Sequence, residues 1–370
     1  MKVLVTGGAG FIGSHTVDLL LQKGYEVRIL DNLEPPVHPR KKKPDYLPNE
    51  AEFILGDVRN KHDLERALQG VDYVFHIAAY QGYLSDFGKF AFTNDVSTAL
   101  IYELIVEKKL PVKKVLLGSS QAVYGEGKYH CAEHGIQYPP PRLLEQLERK
   151  EWELKCPTCQ KAMQPLATDE SRVSPHNRYA VSKYCQELYA LTLGKRFVIP
   201  TVVLRYSITQ GPHQSFYNSY SGILRIFATR LLQNLSPIIY EDGKQLRDYV
   251  SGKDVAAANL LALESDAANY EVYNVGGSEV LSVSEYAKLL LNIMGENVMP
   301  QVPGEFRFGD VRHIISDSSK LRKLGWEPKI SLEQTIKEYI DWARKQPELS
   351  DYYAEAEKVM KQGGIIRAAR

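Results

Sequence analysis

The chain has 370 residues, 44% of them hydrophobic, so it is long enough for one large or two closely packed domains with an ordinary core. Its 46 basic and 45 acidic residues leave a formal net charge of +1, which argues against nucleic acid or a membrane surface as partner and favours small molecules. No apolar stretch approaches the roughly 20 residues that cross a bilayer, and a strand-like run follows Met1 with no leader before it. We therefore expect a cytoplasmic protein.

Short apolar runs alternate with longer amphipathic segments over residues 1–200. The predicted strands are Val3–Thr6, Val27–Leu30, Phe53–Leu55, Tyr73–Ile77, Val115–Leu117 and Thr201–Leu204. The predicted helices are Ile12–Lys23, Asp63–Leu68, Asp95–Glu107 and Tyr179–Leu193. This alternation predicts a doubly wound α/β fold, in which a parallel sheet carries helices on both faces.

The pattern changes after Pro200. Helices are predicted at Ile223–Gln233, Asp254–Leu263 and Ser284–Met294, and strands at Pro237–Tyr240 and Val272–Val275. We expect a smaller C-terminal α/β domain over residues 201–345, part of which returns to the main sheet. Residues 346–370 are polar and predict a loosely attached tail with one helix.

Residues 126–172 fit neither pattern and interrupt the first domain. They contain Pro139–Pro141, the charged stretch Glu145–Lys155 and three of the four cysteines. We interpret this segment as an insertion.

A glycine-rich segment follows the first predicted strand directly and reads Gly7-Gly8-Ala9-Gly10-Phe11-Ile12-Gly13. A side chain at Gly7 or Gly10 would hold the backbone away from a pyrophosphate at the helix N-terminus, and one at Gly13 would push the helix off the sheet. Asp31 ends the second strand, where its carboxylate would bind adenine ribose hydroxyls and repel a 2′-phosphate. The segment therefore predicts an NAD site.

Alternatives to this interpretation remain open. The basic run Arg40–Lys43 follows Asp31 closely and would favour a 2′-phosphate if it faced the site, or it forms a solvated loop. The glycines would also suit a tight strand-to-helix turn that binds no ligand.

Tyr179 and Lys183 are one turn apart on a predicted helix and therefore share a face. A nearby ammonium favours the phenolate, so we expect the pKa of Tyr179 to fall from its ordinary value of about 10 toward that of a general base. The fifth strand leads into Gly118-Ser119-Ser120-Gln121, which places hydroxyls at the carboxyl edge of the sheet, where ligands of such folds bind.

Together these residues resemble the extended short-chain dehydrogenase/reductase family, whose fold is the Rossmann fold, and within it the NAD-dependent nucleotide-sugar epimerases and dehydratases. The similarity covers nearly the whole chain. Further matching strings are Gly56-Asp57-Val58, His76-Ile77-Ala78-Ala79, Asn94 at the start of a helix, Leu204-Arg205-Tyr206, Arg247-Asp248-Tyr249-Val250 and Tyr273-Asn274-Val275-Gly276.

The resemblance implies a role for each matching residue. Tyr179 would be the base, Lys183 would hold the ribose, and Ser120 would hydrogen-bond the sugar hydroxyl. The implied NAD contacts are Gly7, Gly10, Phe11, Ile12, Gly13, Asp31, Asn32, Asp57, Val58, Ala78, Ala79, Asn94, Tyr179 and Lys183. The implied substrate contacts are Ser120, Tyr206, Asn218, Arg247 and Arg312, with the two arginines on the diphosphate.

Structural alternatives exist for three of these residues. Ser120 would otherwise cap a turn, and Arg312 would be a surface charge. Arg247 would otherwise pair with Asp248 or Asp242.

The two residues after Ser120 distinguish between the types of reaction that the resemblance allows. Relatives that eliminate water carry an Asp–Glu pair there, which serves as acid and base, whereas this chain has Gln121 and Ala122. The resemblance therefore implies epimerisation at C4 instead of dehydration. Tyr179 would take the C4 hydroxyl proton as hydride passes to the nicotinamide, the 4-keto sugar would rotate, and hydride would return to its other face.

One departure concerns the substrate pocket. Many relatives have Arg-Tyr-Phe-Asn where this chain has Arg205-Tyr206-Ser207-Ile208, so a substrate-contacting asparagine is replaced. We expect residues 214–220, including Asn218, to rebuild that side of the pocket. Among family members the chain looks most like the dTDP-rhamnose 4-epimerase group, while the sequence leaves open the sugar, the base and whether C4 or C2 reacts.

The insertion carries two metal-ligand pairs, Cys131-x-x-His134 and Cys156-x-x-Cys159. This is the spacing of a zinc ribbon, in which two tight turns bring four ligands into a tetrahedron. Four protein ligands leave no open position, so the zinc would be structural and would let a core-poor insertion fold. His130 is an alternative to His134, and three unrelated reduced cysteines are the alternative to a metal site.

Two other functions stay open from the sequence. One is a 4-keto-sugar reductase, and the other is an NAD(H)-sensing protein that contacts a partner through its zinc module. The resemblance also implies a homodimer, formed by packing the helix of Tyr179 and the helix near Asn94 into a four-helix bundle.

Overall fold

The computed structural model describes residues 1–82, 85–217, 222–346 and 352–369. Its strands are β1 (Lys2–Thr6), β2 (Glu26–Asp31), β3 (Glu52–Leu55), β4 (Tyr73–His76), β5 (Lys114–Ser120), β6 (Tyr129–Cys131), β7 (Gly135–Gln137), β8 (Gln164–Pro165), β9 (Thr201–Tyr206), β10 (Ile208–Gln210), β11 (Leu246–Ser251), β12 (Val272–Val275), β13 (Glu279–Ser282), β14 (Glu305–Arg307) and β15 (Ile366–Ala368).

The α-helices are α1 (Phe11–Gln22), α2 (Lys61–Leu68), α3 (Phe87–Phe90), α4 (Ser97–Glu107), α5 (Leu144–Glu148), α6 (Arg178–Phe197), α7 (Ile223–Leu231), α8 (Gly252–Glu264), α9 (Val283–Met294), α10 (Ser319–Arg322), α11 (Leu332–Ala343) and α12 (Tyr352–Gln362). A π-helical segment, Ala91–Val96, joins α3 to α4, and a 3₁₀ turn, Gln121–Tyr124, follows β5. None of the described helices combines the length and the apolarity needed to cross a bilayer.

A seven-stranded sheet forms the centre of the molecule, in the order β12-β9-β5-β4-β1-β2-β3. Every neighbouring pair is parallel, which confirms the predicted doubly wound Rossmann fold. Its central strands are apolar along their length because helices cover both faces, and Val3, Leu4 and Val5 are fully buried. The chain order reverses between β1 and β4, so a crevice opens at the carboxyl ends of these two strands.

The C-terminal half builds a second core. β10, β11 and β13 form a small mixed sheet against which α7, α9 and α11 pack, with Leu224, Tyr286 and Ile336 buried between them. β12 joins the main sheet beside β9, so part of this half returns to it. α11 is amphipathic and begins at Ser331, whose hydroxyl accepts a hydrogen bond from the Gln334 amide.

Three predicted elements differ from the structure. Pro237–Tyr240 makes one isolated bridge, from Ile238 to Gln301, instead of a strand. Asn94 does not start a helix, because the π-helical segment around it continues α3 into α4. The final segment is also more firmly held than expected, since Met360 is buried in the second core and β15 pairs with β14.

The insertion is a small module attached between β5 and α6. β6 pairs with β7 and β8 in an antiparallel sheet, and α5 lies between β7 and β8 in the chain. Its apolar core consists of Tyr129, Cys131, Leu154, Cys156 and Met163, which is too little to stabilise such a module alone.

Candidate functional site

A cavity of about 250 Å³ lies at the crevice between β1 and β4. Most predicted cofactor residues line it, namely Gly7, Gly10, Phe11, Ile12, Gly13, Asp31, Asn32, Val58, Ala78, Ala79, Tyr179 and Lys183. Neither Asp57 nor Asn94 is among the described residues that line it.

The glycine-rich turn is held by close backbone contacts. Gly7 has φ +69°, and a Cβ there would lie 2.7 Å from the Cα of Ala78. A Cβ at Gly13 would lie 2.1 Å from the carbonyl oxygen of Gly7. Both positions therefore require glycine, and the turn leaves the N-terminus of α1 open toward the cavity, as a pyrophosphate site requires.

Asp31 ends β2 at the cavity wall. Its Oδ2 accepts a hydrogen bond from the Ala9 amide (3.0 Å), and its Oδ1 accepts one from the Leu33 amide (2.9 Å). Burial raises the pKa of Asp31, while the Leu33 amide and nearby His38 oppose that shift. Arg40, Lys41 and Lys42 are exposed and lie outside the cavity lining, which favours the solvated-loop interpretation of the basic run. These features fit NAD.

Replacing Asp31 with Asn should raise the affinity for NADP relative to NAD about tenfold, or ~1.4 kcal/mol. The amide keeps one acceptor oxygen for the Ala9 or Leu33 N–H group and removes the charge that would repel a 2′-phosphate. Calorimetric titration with each dinucleotide measures the ratio. Asp45→Asn, an exposed carboxylate in the same region, is the control, and an unchanged ratio in Asp31→Asn would contradict this role.

Asp57 and Asn94 are instead engaged with protein groups. Arg59 donates to Asp57 and so does Asn32. Burial raises the pKa of Asp57, but these hydrogen bonds outweigh it and bring the pKa to about 2. Asn94 is fully buried, and its Nδ2 donates to the Ser182 hydroxyl at 2.8 Å, so it ties the π-helical segment to α6.

α6 carries the predicted catalytic pair. The Asn177 side chain caps the helix by accepting a hydrogen bond from the Ala180 amide at 2.9 Å. Tyr179 lies in the first turn and faces the cavity. Lys183, one turn later, is buried and donates to the Gly118 carbonyl at 2.6 Å and to Gln186 at 2.7 Å. The helix start thus places the phenol beside the end of β5.

The expected fall in the pKa of Tyr179 does not occur. Burial raises the pKa of its phenol to about 12, and a hydrogen bond with Ser120 opposes that rise. Burial also lowers the pKa of Lys183 to about 7, against the charges of Glu187 and Asp95. The helical spacing alone predicted attraction between the two groups, but the loss of water around both of them has the larger effect.

Ser120 lies at the junction of β5 and the 3₁₀ turn. Its Oγ accepts a hydrogen bond from the Ala122 amide at 3.1 Å, so it caps the turn while also bonding with Tyr179. The neighbouring Ser119 lines the cavity and donates to buried Glu187 at 2.5 Å. Ser120 therefore caps the turn, and its predicted contact with a sugar hydroxyl stays a prediction.

Tyr206 lies in the wall of the cavity, and its hydroxyl is bound to another side chain. Its hydroxyl donates to Asn259 at 2.7 Å, and its buried ring packs against Gly118 in the cavity wall. Tyr206 therefore forms part of the cavity wall beside Gly118, whose carbonyl binds Lys183. Asn218, the other predicted substrate residue on this side, lies outside the described residues.

Arg247 lines a second cavity of about 190 Å³ in the C-terminal half. Its guanidinium donates to the backbone carbonyls of Leu246, Arg312 and Val311, at 2.8 to 2.9 Å, and not to Asp248 or Asp242. Three other polar residues of this cavity were not predicted from the sequence, namely Tyr240, Arg307 and Asp310. Spacing along the chain does not reveal them because Tyr240 is far along the chain from Arg307, which ends β14, and from Asp310.

Arg312 is neither a diphosphate ligand nor a surface charge. It is fully buried, and its guanidinium donates to Glu153 (2.6 Å), Glu241 (2.8 Å) and Asp242 (2.7 Å). Three carboxylates from distant parts of the chain already surround it, so a substrate diphosphate would have to displace them. The predicted role of Arg312 is therefore contradicted.

The insertion brings Cys131, His134, Cys156 and Cys159 together, with all four ligand atoms within 4.8 Å of one another. The Cys131 Sγ lies 3.6 Å from the Cys159 Sγ and 3.6 Å from the His134 Nδ1. Tetrahedral zinc with bonds of ~2.3 Å to sulfur and ~2.0 Å to nitrogen needs edges of roughly 3.5 to 3.8 Å. The residues present therefore fit this ion, and His134 belongs to the cluster in place of His130.

Comparison with known proteins places these features in context. The sequence profile of the NAD dependent epimerase/dehydratase family matches residues 3–143 and 157–276, and it leaves part of the insertion unmatched. The dTDP-L-rhamnose 4-epimerase of Burkholderia thailandensis is 34% identical over 93% of this chain and 95% of the relative.

Two solved structures are similar over almost their whole length. The UDP-glucose 4-epimerase of Thermotoga maritima with UDP-glucose has a TM-score of 0.76 and 32% identity, covering 94% of this chain and 100% of that chain. The UDP-glucuronic acid 4-epimerase of Bacillus cereus, in complex with UDP-glucuronic acid and NAD, has a TM-score of 0.74 and 26% identity, covering 92% of this chain and 98% of that chain.

Proposed function

The chain belongs to the NAD dependent epimerase/dehydratase family, and from this membership we propose that it inverts C4 of a nucleotide-diphosphate sugar. The observation that carries the proposal is that Tyr179 and Lys183 both line the dinucleotide cavity, with Ser120 hydrogen-bonded to Tyr179. The likeness to 4-epimerases of dTDP- and UDP-sugars supports the choice of reaction and of substrate class.

The residues after Ser120 support epimerisation over dehydration. Gln121 is buried, and its Oε1 accepts a hydrogen bond from the Ser316 hydroxyl at 3.2 Å. Neither this amide nor the methyl group of Ala122 supplies the acid that a leaving hydroxyl requires. Elimination of water therefore lacks its catalyst at this position.

Each residue of the site then has a separate role in the proposed reaction. NAD, when bound, supplies reversible oxidation of the C4 carbinol. Tyr179 Oη takes the proton of the C4 hydroxyl and later gives it back, while Ser120 Oγ holds that hydroxyl in place. Lys183 stays fixed through the Gly118 carbonyl, which keeps its amino group beside the cavity. Asp31 and the turn from Gly7 to Gly13 hold the dinucleotide.

The two cavities support a division of binding between the two halves of the chain. The first is lined largely by residues before 200 and the second by residues after 207. We assign NAD to residues 1–200, the nucleotide sugar mainly to 201–345, and the diphosphate to Arg247.

The experiment that tests this function is incubation with dTDP-, UDP- and GDP-hexoses without added reductant. Product stereochemistry is followed by NMR and reduced nicotinamide by absorbance. A C4-inverted sugar with no net NADH is expected. Stoichiometric formation of NADH together with a keto-sugar product would indicate a net oxidoreductase instead, and absence of any sugar turnover would contradict the proposal.

We assign a structural zinc ion to the four ligands of the insertion. Support comes from the tetrahedral distances, from the burial of Cys131 and Cys156, and from the small apolar core that the ion would reinforce. None of the four cysteines, all of them described residues, forms a disulfide, which fits the reducing cytoplasm proposed for the protein.

A homodimer is also proposed, formed through α6 and the helical segment around Asn94 that continues into α4. Val181, Leu188 and Tyr189 are exposed along α6, and Phe92 and Val96 are exposed on the neighbouring helical segment. These apolar side chains would be buried in a four-helix bundle with a second copy.

Replacing Leu188 with Glu should convert this dimer into a monomer, because two charges would be buried at the symmetric interface. Light scattering after size-exclusion chromatography measures the mass. Leu143→Glu, an exposed leucine of the insertion, should leave the mass unchanged. A wild-type protein that is monomeric at micromolar concentration would contradict the proposed dimer.

A further inference from the structure

The insertion holds a segment of the C-terminal half, residues 310–317, at several points. At its start, Glu126 accepts a hydrogen bond from the Arg312 amide at 2.8 Å. At its end, the Thr168 amide donates to the Ile315 carbonyl at 2.8 Å, and the Asp317 amide donates back to Thr168 at 3.0 Å. The zinc-bearing module is therefore joined to this segment by backbone as well as side chain.

Arg142, from the middle of the insertion, makes the strongest of these links. Its buried guanidinium forms two parallel hydrogen bonds to Glu241, at 2.8 and 2.9 Å. The same guanidinium donates to the Asp310 carbonyl at 2.9 Å. Because the pair is bidentate and shielded from water, its geometry is well defined.

Glu241 also binds Arg312 at 2.8 Å, so one buried carboxylate is shared by two arginines. Glu153 of the insertion binds the other edge of the Arg312 guanidinium and accepts a hydrogen bond from His313 at 3.0 Å. The His313 Nδ1 accepts the Leu246 amide, so its proton lies on Nε2 and points to Glu153. These contacts fix the backbone of residues 310–313.

That backbone in turn orients Arg247. The carbonyls of Arg312 and Val311 accept hydrogen bonds from its Nη1 and Nη2, at 2.9 and 2.8 Å. A third hydrogen bond runs from Nη1 to the Leu246 carbonyl. Among the described residues, these three bonds use both hydrogens of Nη1 and one of Nη2. The Nε–H and the second Nη2–H remain, and this edge of the guanidinium suits two oxygens of a phosphate. Asp310, whose carbonyl Arg142 holds, lines the same cavity.

We propose that Arg142 is a positioning residue for nucleotide binding: by holding Glu241 and the Asp310 carbonyl, it fixes the carbonyls that aim Arg247 at the substrate diphosphate. This proposal rests on the proposed function and adds a role for the insertion, which determines affinity for the nucleotide and not the rate of the chemical step. The second cavity and the catalytic tyrosine lie in different parts of the molecule, so the two effects are separable.

The test compares Arg142→Lys with the wild-type holoenzyme. Lysine keeps the charge and loses the bidentate pair. We expect the affinity for UDP and dTDP, measured by calorimetry without any sugar, to fall about tenfold or more, and KM to rise in parallel, while kcat changes less than about twofold. Arg149→Lys, an exposed arginine of the same insertion, is the matched control and should bind as wild type does.

A double-mutant cycle with Arg247→Lys tests whether Arg142 acts through Arg247. In the Arg247→Lys background, Arg142→Lys should change nucleotide affinity less than about twofold. Equal losses in both backgrounds would overturn the proposal, because the effect would then be general destabilisation. An unchanged nucleotide affinity, or a fall confined to kcat, would overturn it as well.

If Arg142→Lys does not fold, Glu241→Gln replaces it in the double-mutant cycle. Glutamine keeps the shape of the glutamate side chain and removes the charge that Arg142 and Arg312 share. The wild-type measurement separates this proposal from the function on which it rests. A wild-type chain that inverts no sugar of the panel contradicts the proposed function, whereas an active chain whose Arg142→Lys variant keeps undiminished nucleotide affinity contradicts only the role of Arg142.

Discussion

Replacement of Tyr179 by Phe should lower kcat about 10³-fold and leave KM and NAD content nearly unchanged. General acid–base catalysis by a positioned side chain contributes roughly 10²- to 10⁴-fold, and phenylalanine keeps the ring that lines the cavity while removing the only atom that carries the proton. Single-turnover kinetics with the substrate found in the sugar panel measure the loss. Tyr189→Phe, which removes an exposed hydroxyl from the same helix, is the control.

The pKa of Tyr179 adds a pH dependence to this prediction. Since burial raises the pKa to about 12, the phenol is mostly protonated at neutral pH, and its basic form increases as the pH rises toward that value. We therefore expect wild-type kcat to increase between about pH 6 and pH 9, and the residual rate of Tyr179→Phe to be flat over that range. A variant that keeps more than about a tenth of the wild-type kcat would exclude Tyr179 as the base.

Replacement of Cys156 by Ser should abolish zinc binding and unfold the insertion. Structural zinc sites contribute on the order of 10 kcal/mol to the folding of small modules, and the apolar core around Tyr129 and Met163 does not replace that contribution. The module also holds residues 310–317, so we expect a large fall in melting temperature. Metal analysis by mass spectrometry should show one zinc per wild-type chain and none in the variant.

Cys185→Ser is the control for this prediction, because Cys185 lies on α6 outside the ligand cluster. It should keep one zinc per chain. Treatment of the wild-type protein with a strong chelator should reproduce the lower melting temperature of Cys156→Ser, and added zinc should restore it. A wild-type chain without zinc, or a Cys156→Ser variant of unchanged stability, would contradict the structural role of the ion.

Features that depend on neighbouring residues were predictable from the sequence. The alternation of apolar runs gave the strands and helices of the main sheet, and glycine at 7 and 13 indicated the tight turn that the Cβ contacts confirm. The two Cys-x-x pairs predicted a ligand cluster that the structure assembles. α11 and β11, in contrast, were missed, although Ser331 at the start of α11 is an N-cap signal that would have revealed the helix.

Features that depend on distant residues were not predictable. Arg312 lies in a string that gives no sign of Glu153, Glu241 or Asp242, and these carboxylates decide that it is a buried structural ion. The hydroxyl of Tyr206 likewise donates to Asn259, which lies far along the chain and which the string around Tyr206 does not indicate.

The sequence by itself determined the parallel sheet, the dinucleotide turn, the Tyr179–Lys183 spacing and the two Cys-x-x pairs of the insertion, because each depends on short-range geometry that a few neighbouring residues dictate. Only the tertiary structure decided the charge states at the catalytic pair and the environment of Arg312. Protonation depends on how much water the whole fold removes from a group, and an ion pair depends on which distant charges the fold brings within reach.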